Sequence, residues 1–191
     1  MKNALRKSLA ILTLMAAFAM IIIGCNKSGS ASTSTNNGGD NGGGNGGGIT
    51  PPPTGNYGTI TLGNQIYTIA FGICSEEYDE ETQTSMFEIA LADGASQTAN
   101  VFGLGFINLS TMPTGTFDFA IGDNLGENQC MGNFILGGNP QNALFCTSGN
   151  VTITKVGSNY KIQSTGVASN MANTHMEFSV NFEGPITPVD K

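Results

Sequence analysis

The chain has 191 residues, of which only 11% are charged, and its formal net charge is −7. From Tyr57 onward it carries 13 acidic but only 3 basic side chains, which gives this part a net charge of −10. A surface of this charge repels phosphate backbones, so nucleic acid is excluded as a partner.

The first 24 residues have the three-part layout of a secretory signal peptide. A basic head with Lys2, Arg6 and Lys7 precedes an apolar run over residues 9–23. This run is short for a membrane span, which needs roughly 20 apolar residues. We predict a cleaved signal peptide at residues 1–24, and the alternative is an uncleaved anchor helix.

Residues 22–25 read Ile-Ile-Gly-Cys and resemble the lipobox of bacterial lipoproteins. The resemblance implies that the Cys25 thiol receives a diacylglycerol, that cleavage occurs before Cys25, and that the new amino group is acylated. One acyl chain holds a protein only marginally to a bilayer, whereas several anchor it stably. In Gram-negative lipoproteins an aspartate after the cysteine commonly signals inner-membrane retention, so Asn26 implies the outer membrane. Which face of that membrane the protein occupies stays open.

Residues 25–56 are predicted to form a flexible linker that begins at the lipidated cysteine. Their Gly, Ser, Thr and Asn offer almost no apolar surface, so ordering them would cost more free energy than their contacts return. Three prolines at positions 51–53 stiffen the end of the segment into polyproline-II geometry. We expect the linker to tether the following domain to the membrane.

Residues 57–191 are predicted to form a single all-β domain. In the sequence HMEFSVNFE, Phe178, Val180 and Phe182 alternate with polar residues, which is the period of a half-buried strand. The same alternation occurs in QIYTIAFGI, SMFEIALA and TGTFDFAIG, and GNVTITKVGSNYKIQ is typical of a hairpin with its turn at 157–159. Further strands are predicted at 99–108, 129–136 and 143–146. Short strands separated by Gly, Asn, Asp and Pro favour an antiparallel β-sandwich, with a closed antiparallel β-barrel as the alternative.

Three cysteines lie in this domain, at positions 74, 130 and 146. An oxidising envelope permits disulfides, and a three-residue loop at 137–139 would set Cys130 opposite Cys146 across a hairpin. We predict a disulfide between them, although a register slip of one residue would turn them to opposite faces. The alternative is that all three are small buried hydrophobic residues. No cysteine has the spacing of a zinc site.

A dense polar cluster, SEEYDEE, occupies residues 75–81. Carboxylate oxygens suit calcium, but the spacing is not that of an EF-hand. We expect a solvated connection between two strands, with weak cation binding or contact with a partner as the alternatives. The candidate residues are Glu76, Glu77, Tyr78, Asp79, Glu80 and Glu81.

The sequence offers little catalytic chemistry. A Ser-His-Asp triad has only His175 as its base, and we expect that histidine to face solvent from a strand. Glu177 and Glu183 share one strand face but stand roughly 20 Å apart, too far for glycoside hydrolysis. Glu88 or Asp118 could approach either of them across a sheet. We predict no catalytic residue, no cofactor and no metal site.

These expectations combine into a lipid-anchored, non-enzymatic cell-envelope protein whose domain binds or scaffolds an unidentified envelope protein, extracellular protein or ligand. Beyond the lipobox, the chain resembles small Gram-negative lipoproteins with a C-terminal β-sandwich and no assigned activity, and such architecture does not carry function. One alternative is a β-barrel that binds a small apolar ligand in a pocket lined by some of the 11 phenylalanines. The third hypothesis is a hydrolase that uses carboxylates as its catalytic groups.

Overall fold

A computed structural model describes residues 54–79, 83–122, 125–172 and 174–189. The predicted signal peptide, Cys25 and most of the linker lie outside these residues. The described residues form strands, turns and loops, and they contain no helix that could span a membrane. The prediction of an all-β domain is confirmed. The strands are β1 (Gly58–Leu62), β2 (Gln65–Thr68), β3 (Phe71–Asp79), β4 (Thr84–Ala92), β5 (Val101–Ile107), β6 (Gly115–Phe119), β7 (Gln129–Leu136), β8 (Asn139–Val156), β9 (Asn159–Ser169), β10 (His175–Gly184) and β11 (Ile186–Pro188).

All 11 of these strands belong to one sheet, in the order β11-β3-β4-β5-β7-β6-β8-β9-β10-β1-β2. Most neighbours are antiparallel, whereas β11 runs parallel to β3 and β6 runs parallel to β7. The long strand β8 pairs with β7 through its first residues and with β6 farther along. Because β8 pairs with two different strands along its length, it has to bend.

A pair of glycines allows this bend. Gly149 of β8 has a φ of +103° and lies opposite Gly166 of β9. A Cβ on Gly149 would lie 2.0 Å from the carbonyl oxygen of Thr165, so the two strands approach too closely for a larger residue. A register shift between Cys146 and Ser148 adds a bulge at the same place, and bulges bend a strand further.

The sheet curls until strands that are distant in its order face each other. The ring centroid of Phe178 on β10 lies 5.0 Å from that of Phe134 on β7 and 6.1 Å from that of Phe102 on β5. The Phe182 ring reaches β3, where it lies 3.1 Å from the position that a Cβ on Gly72 would take. We call the face that carries these rings the inner face. It holds the main hydrophobic core.

Two residues connect the opposite ends of the sheet. After β2, the last strand in the order, Ile69 and Ala70 lead directly into β3, which is second from the other end. Ile69 donates its N–H to the carbonyl of Gly58 beside β2 (2.9 Å), and Ala70 donates its N–H to the carbonyl of Ala92 on β4 (2.8 Å). The backbone therefore bonds to both ends of the sheet within two successive residues.

Two sequence predictions hold in detail. On β10, Phe178, Val180 and Phe182 are buried, and the polar residues between and beside them are exposed. The β8–β9 hairpin forms as predicted, with β8 ending at Val156 and β9 beginning at Asn159. Alternation predicts both elements because one face of each strand meets the core and the other meets solvent.

The prediction of one strand over QIYTIAFGI, with Tyr67, Ile69, Phe71 and Ile73 on one face, is wrong. The strand is interrupted at Ala70, between β2 and β3. Tyr67 and Ile69 pack with the core of the inner face, whereas Phe71 and Ile73 belong to a second apolar cluster on the other face. The alternation continues through the break in the sequence, although the chain changes its place in the sheet there.

The predicted strand TGTFDFAIG is shorter than expected. β6 ends at Phe119, so Phe117 and Phe119 are buried on the inner face as predicted. Ile121 lies beyond the strand, and 70% of its surface is exposed.

Candidate functional site

The described residues form a pocket of about 620 Å³ where the edge of β3 and β11 approaches the β8–β9 hairpin. We call it the seam pocket. Its volume falls in the range of roughly 300–1,000 Å³ that is usual for ligand pockets. The residues that line it are Cys74, Ser75, Glu76, Phe87, Thr111, Met112, Tyr160, Ile186, Pro188 and Val189.

The lining is apolar with a few polar groups, and none of the described residues contributes a basic side chain to it. Glu76 is exposed and supplies the one carboxylate among the described lining residues. Ser75 is only 3% exposed, and its Oγ has no hydrogen-bond partner among the described residues. Tyr160 lies on the hairpin side, where the Nζ of Lys155 stands 5.9 Å from the centre of its ring. The pocket therefore suits an apolar group that is neutral or positively charged.

The edge of β3 beside the pocket is open as far as the described residues extend. β3 has nine residues, whereas β11 has three and pairs only with residues 72–74 of β3. Among the described residues, no strand pairs with this edge at residues 75–79. The last bond that β11 directs to this edge runs from the N–H of Val189 to the carbonyl of Cys74 (2.9 Å).

The direction of the backbone groups on this edge follows from two hydrogen bonds. The carbonyl of Cys74 points toward β11, because it accepts from Val189. Ser85 pairs with Tyr78, but its carbonyl accepts from Asn108 on the opposite side, so the Tyr78 backbone points away from β4. Backbone groups alternate along a strand, so the N–H and C=O of Glu76 and Tyr78 point out of the sheet at its open edge.

The structure places the predicted acidic cluster mainly within a strand. Residues 75–79 continue β3 and pair with β4, rather than forming the solvated connection that the sequence suggests. Glu76 is exposed, Glu77 is partly buried and Tyr78 is 56% exposed. Asp79 is the last residue of β3, and Glu80 and Glu81 lie outside the described residues. Among the described residues of the cluster, Ser75 and Glu76 line the seam pocket, and Glu76 supplies its carboxylate.

Cys74, Cys130 and Cys146 are buried free thiols in this structure. The β7–β8 turn has two residues instead of the predicted three, and a register shift follows between Phe134 and Leu136. Cys146 consequently packs against Gly132, where a Cβ would lie 2.8 Å from its Sγ. Cys130 and Cys146 are therefore diagonal rather than direct neighbours on the inner face.

Burial perturbs all three thiols. It raises the pKa of Cys130 to about 12, with a smaller contribution from the negative charge of Asp118. It raises the pKa of Cys146 still further, with Cys130 as a second cause, and it also raises the pKa of Cys74. Thiols with raised pKa values are protonated at neutral pH and are poor nucleophiles.

His175 has a partner that the sequence does not indicate. Its Nδ1 lies 2.7 Å from the Oγ of Ser169, which pairs with it across β9 and β10. Ser169 is only 7% exposed, and its Oγ also lies 3.5 Å from the Oγ1 of Thr147. The Oδ1 of Asn170 accepts the N–H groups of Ala172 (3.0 Å) and Thr174 (2.9 Å) in the same turn. The Ser169–His175 pair thus closes the β9–β10 turn and leaves the serine little access to a substrate.

The carboxylates considered for hydrolysis do not meet in the seam pocket. Glu177 and Glu183 are exposed on β10, and Glu183 pairs with Lys161 of β9. Glu88 is buried on the outer face of β4 opposite Ser75, whereas Asp118 is exposed on β6. The described residues contain no group of three or more His, Cys, Asp or Glu side chains that could hold a metal ion.

Sequence reasoning misses most of the seam pocket. Phe87, Met112, Tyr160 and Ile186 come from four separate segments, and nothing in their local patterns distinguishes them from ordinary core or loop residues. Glu76 is the one predicted candidate that the structure places there. Searches of protein-family models, curated proteins and solved structures find no significant match to the chain.

Proposed function

We propose that the protein is a lipid-anchored cell-envelope protein whose β domain is a non-enzymatic binding module, with the seam pocket as its binding site. The observation that carries this proposal is the pocket of about 620 Å³ beside an open strand edge. Pockets with a mostly apolar lining and a few polar groups are typical of ligand sites. A small apolar ligand is the alternative occupant, and a carboxylate-based hydrolase is the third reading.

The anchor rests on the sequence of residues 1–25. A basic head, an apolar core and the Ile-Ile-Gly-Cys sequence support export and acylation at Cys25. Asn26 supports the outer membrane as the destination, and residues 26–56 would let the domain stand away from the lipid surface. For the architecture we retain an antiparallel sandwich, supported by the Phe178 contacts across the inner face, with the closed barrel as the alternative.

Metabolic labelling tests the anchor. Cells that express the full chain should incorporate radiolabelled palmitate into it, and Cys25→Ser should abolish the label. A label that persists in this variant, or never appears in the parent chain, contradicts the lipoprotein assignment.

Tryptophan fluorescence tests the pocket, because the chain has no tryptophan of its own. Thr111→Trp places this fluorophore at an exposed position that lines the pocket, and Thr114→Trp places it on the same loop but outside the lining. We expect 8-bromooctan-1-ol, a neutral apolar quencher, to quench the Thr111→Trp variant saturably and the Thr114→Trp variant only in proportion to its concentration. Identical linear quenching of both variants would show that the pocket binds no apolar group.

A further inference from the structure

We propose that the seam pocket receives an extended polypeptide segment with basic side chains, which pairs with the open edge of β3 at Glu76 and Tyr78 and inserts an apolar side chain into the pocket. This inference rests on the proposed binding function and names its occupant. An unpaired strand edge is a surface to which extended peptides add through backbone hydrogen bonds.

The edge offers a short and regular set of hydrogen-bonding groups. Glu76 and Tyr78 each present one N–H and one C=O outward, and the two residues are separated by about 6.6 Å along the strand. β11 pairs with the preceding residues of this edge and ends where the free groups begin. A bound segment would therefore lie in line with β11.

The pocket lies where such a segment would direct one of its side chains. Cys74, Ser75 and Glu76 of the edge and Pro188 and Val189 at the end of β11 all line it. Side chains alternate along a strand, so every second residue of the segment would point toward the pocket and the others toward solvent.

Charge selects the kind of segment. The described residues that line the pocket include the carboxylate of Glu76 and no basic side chain, and the chain from Tyr57 onward carries a net charge of −10. This excess of negative charge attracts a segment with basic side chains and repels an acidic one. Edge-to-edge pairing between two copies would bring like charges together, which argues against a second copy as the occupant.

Fluorescence anisotropy with the full chain in detergent micelles tests the proposal. The probe is a fluorescein-labelled hexapeptide with the sequence Lys-Val-Lys-Val-Lys-Val. We expect saturable binding below about 1 mM, and binding at least about tenfold weaker for the matched peptide with glutamate in place of lysine. Two N-methylated isomers of the probe, one modified on the lysine amides and one on the valine amides, test backbone pairing. Only the isomer whose methyl groups face the edge should lose at least about tenfold in affinity.

A proline variant tests the position of the edge. Tyr78→Pro removes an N–H that points out of the sheet, so the β3–β4 ladder keeps its bonds, and peptide affinity should fall at least about tenfold. Ile66→Pro is the matched control. The bond from Ile69 to Gly58 and the β1–β2 register place the Ile66 N–H on the open edge of β2, away from the pocket. Binding to Ile66→Pro should equal that of the parent chain.

Several outcomes would overturn the proposal. These are no saturable binding, equal binding of the acidic peptide, equal loss or no loss with both methylated isomers, and unchanged binding to a folded Tyr78→Pro variant. Binding only after residues 190 and 191 are removed would mean that the chain's own end covers the edge, and it would also overturn the proposal. If Tyr78→Pro fails to fold, the methylated isomers still decide. Saturable quenching by bromooctanol without peptide binding would contradict this inference, but it would still support the seam pocket as a binding site.

Discussion

Replacing Phe178 by alanine should destabilise the domain more than almost any other single substitution. Phe178 is 5% exposed, and its ring centroid lies within 5.0–6.1 Å of those of Phe102, Phe119 and Phe134 on three other strands. Truncating a buried phenylalanine costs about 3–5 kcal/mol, from lost transfer free energy and from the cavity left behind. Because this ring packs β10 against β5, β6 and β7, we expect a value in the upper half of that range.

Urea denaturation of the full chain, followed by circular dichroism, measures this loss. The midpoint should fall while the dependence on urea stays unchanged, because the same surface is exposed on unfolding. Ile66→Ala is the control, since Ile66 is 70% exposed and its truncation should change stability by less than about 0.5 kcal/mol. A double-mutant cycle with Phe134→Ala should give a coupling of about 0.5–1.5 kcal/mol. A loss below about 1.5 kcal/mol for Phe178→Ala, or no coupling to Phe134, would refute the packing of β10 over β7.

Two further predictions concern the thiols and the β7–β8 turn. Because burial raises the pKa of Cys130 to about 12 and that of Cys146 higher, both stay protonated in the folded chain above pH 9, where the unfolded chain loses both protons. The stabilising effect of these two protonated thiols should be complete below pH 9 and should be lost above it by about 1 kcal/mol per pH unit for each, as urea midpoints would show. Cys74, whose pKa burial also raises, adds to the slope in every variant. Cys130→Ala should therefore reduce the slope by about the contribution of one thiol, and an unchanged slope would contradict a buried free thiol at Cys130. In the turn, Gly137 and Gly138 have φ values of +62° and +65°, but only at Gly138 would a Cβ collide with a backbone atom, the Gln97 carbonyl oxygen. Gly137→Ala should cost about 1 kcal/mol in thermal unfolding and Gly138→Ala clearly more, and equal costs would contradict the close approach of Gln97.

The sequence predicts individual strands well where one face is solvated. β10 alternates clearly because its glutamates and asparagine face water while its phenylalanines face the core. β4 has seven consecutive buried residues, from Met86 to Ala92, so its two faces differ mainly in size rather than polarity. Glycines at 103 and 105 of β5 further weaken the pattern. Alternation still identifies these strands, but it does not tell which face is the inner one.

Strand pairing is where sequence reasoning fails, because it depends on turns and bulges. The Cys130–Cys146 prediction assumes a three-residue loop, whereas the chain turns in two residues and then shifts register. The break at Ala70 is invisible for a similar reason, since the apolar period continues through it. The seam pocket combines both difficulties, because its walls come from segments that meet only after the sheet has curled. Composition and local period contain no information about such a meeting point.

Among the described residues, the open edge of β3 reflects a difference in length between β3 and its neighbour β11. β11 contains Pro188, which lacks an N–H, so β11 can pair with β3 only in a register that turns this position away from β3. The bond from Val189 to Cys74 satisfies this condition, and it is the last one described. β3 continues for five residues beyond it because β4 supplies a full ladder on its other side. A difference in strand length therefore creates the free edge, and the net charge of −10 from Tyr57 onward favours a basic segment as its partner.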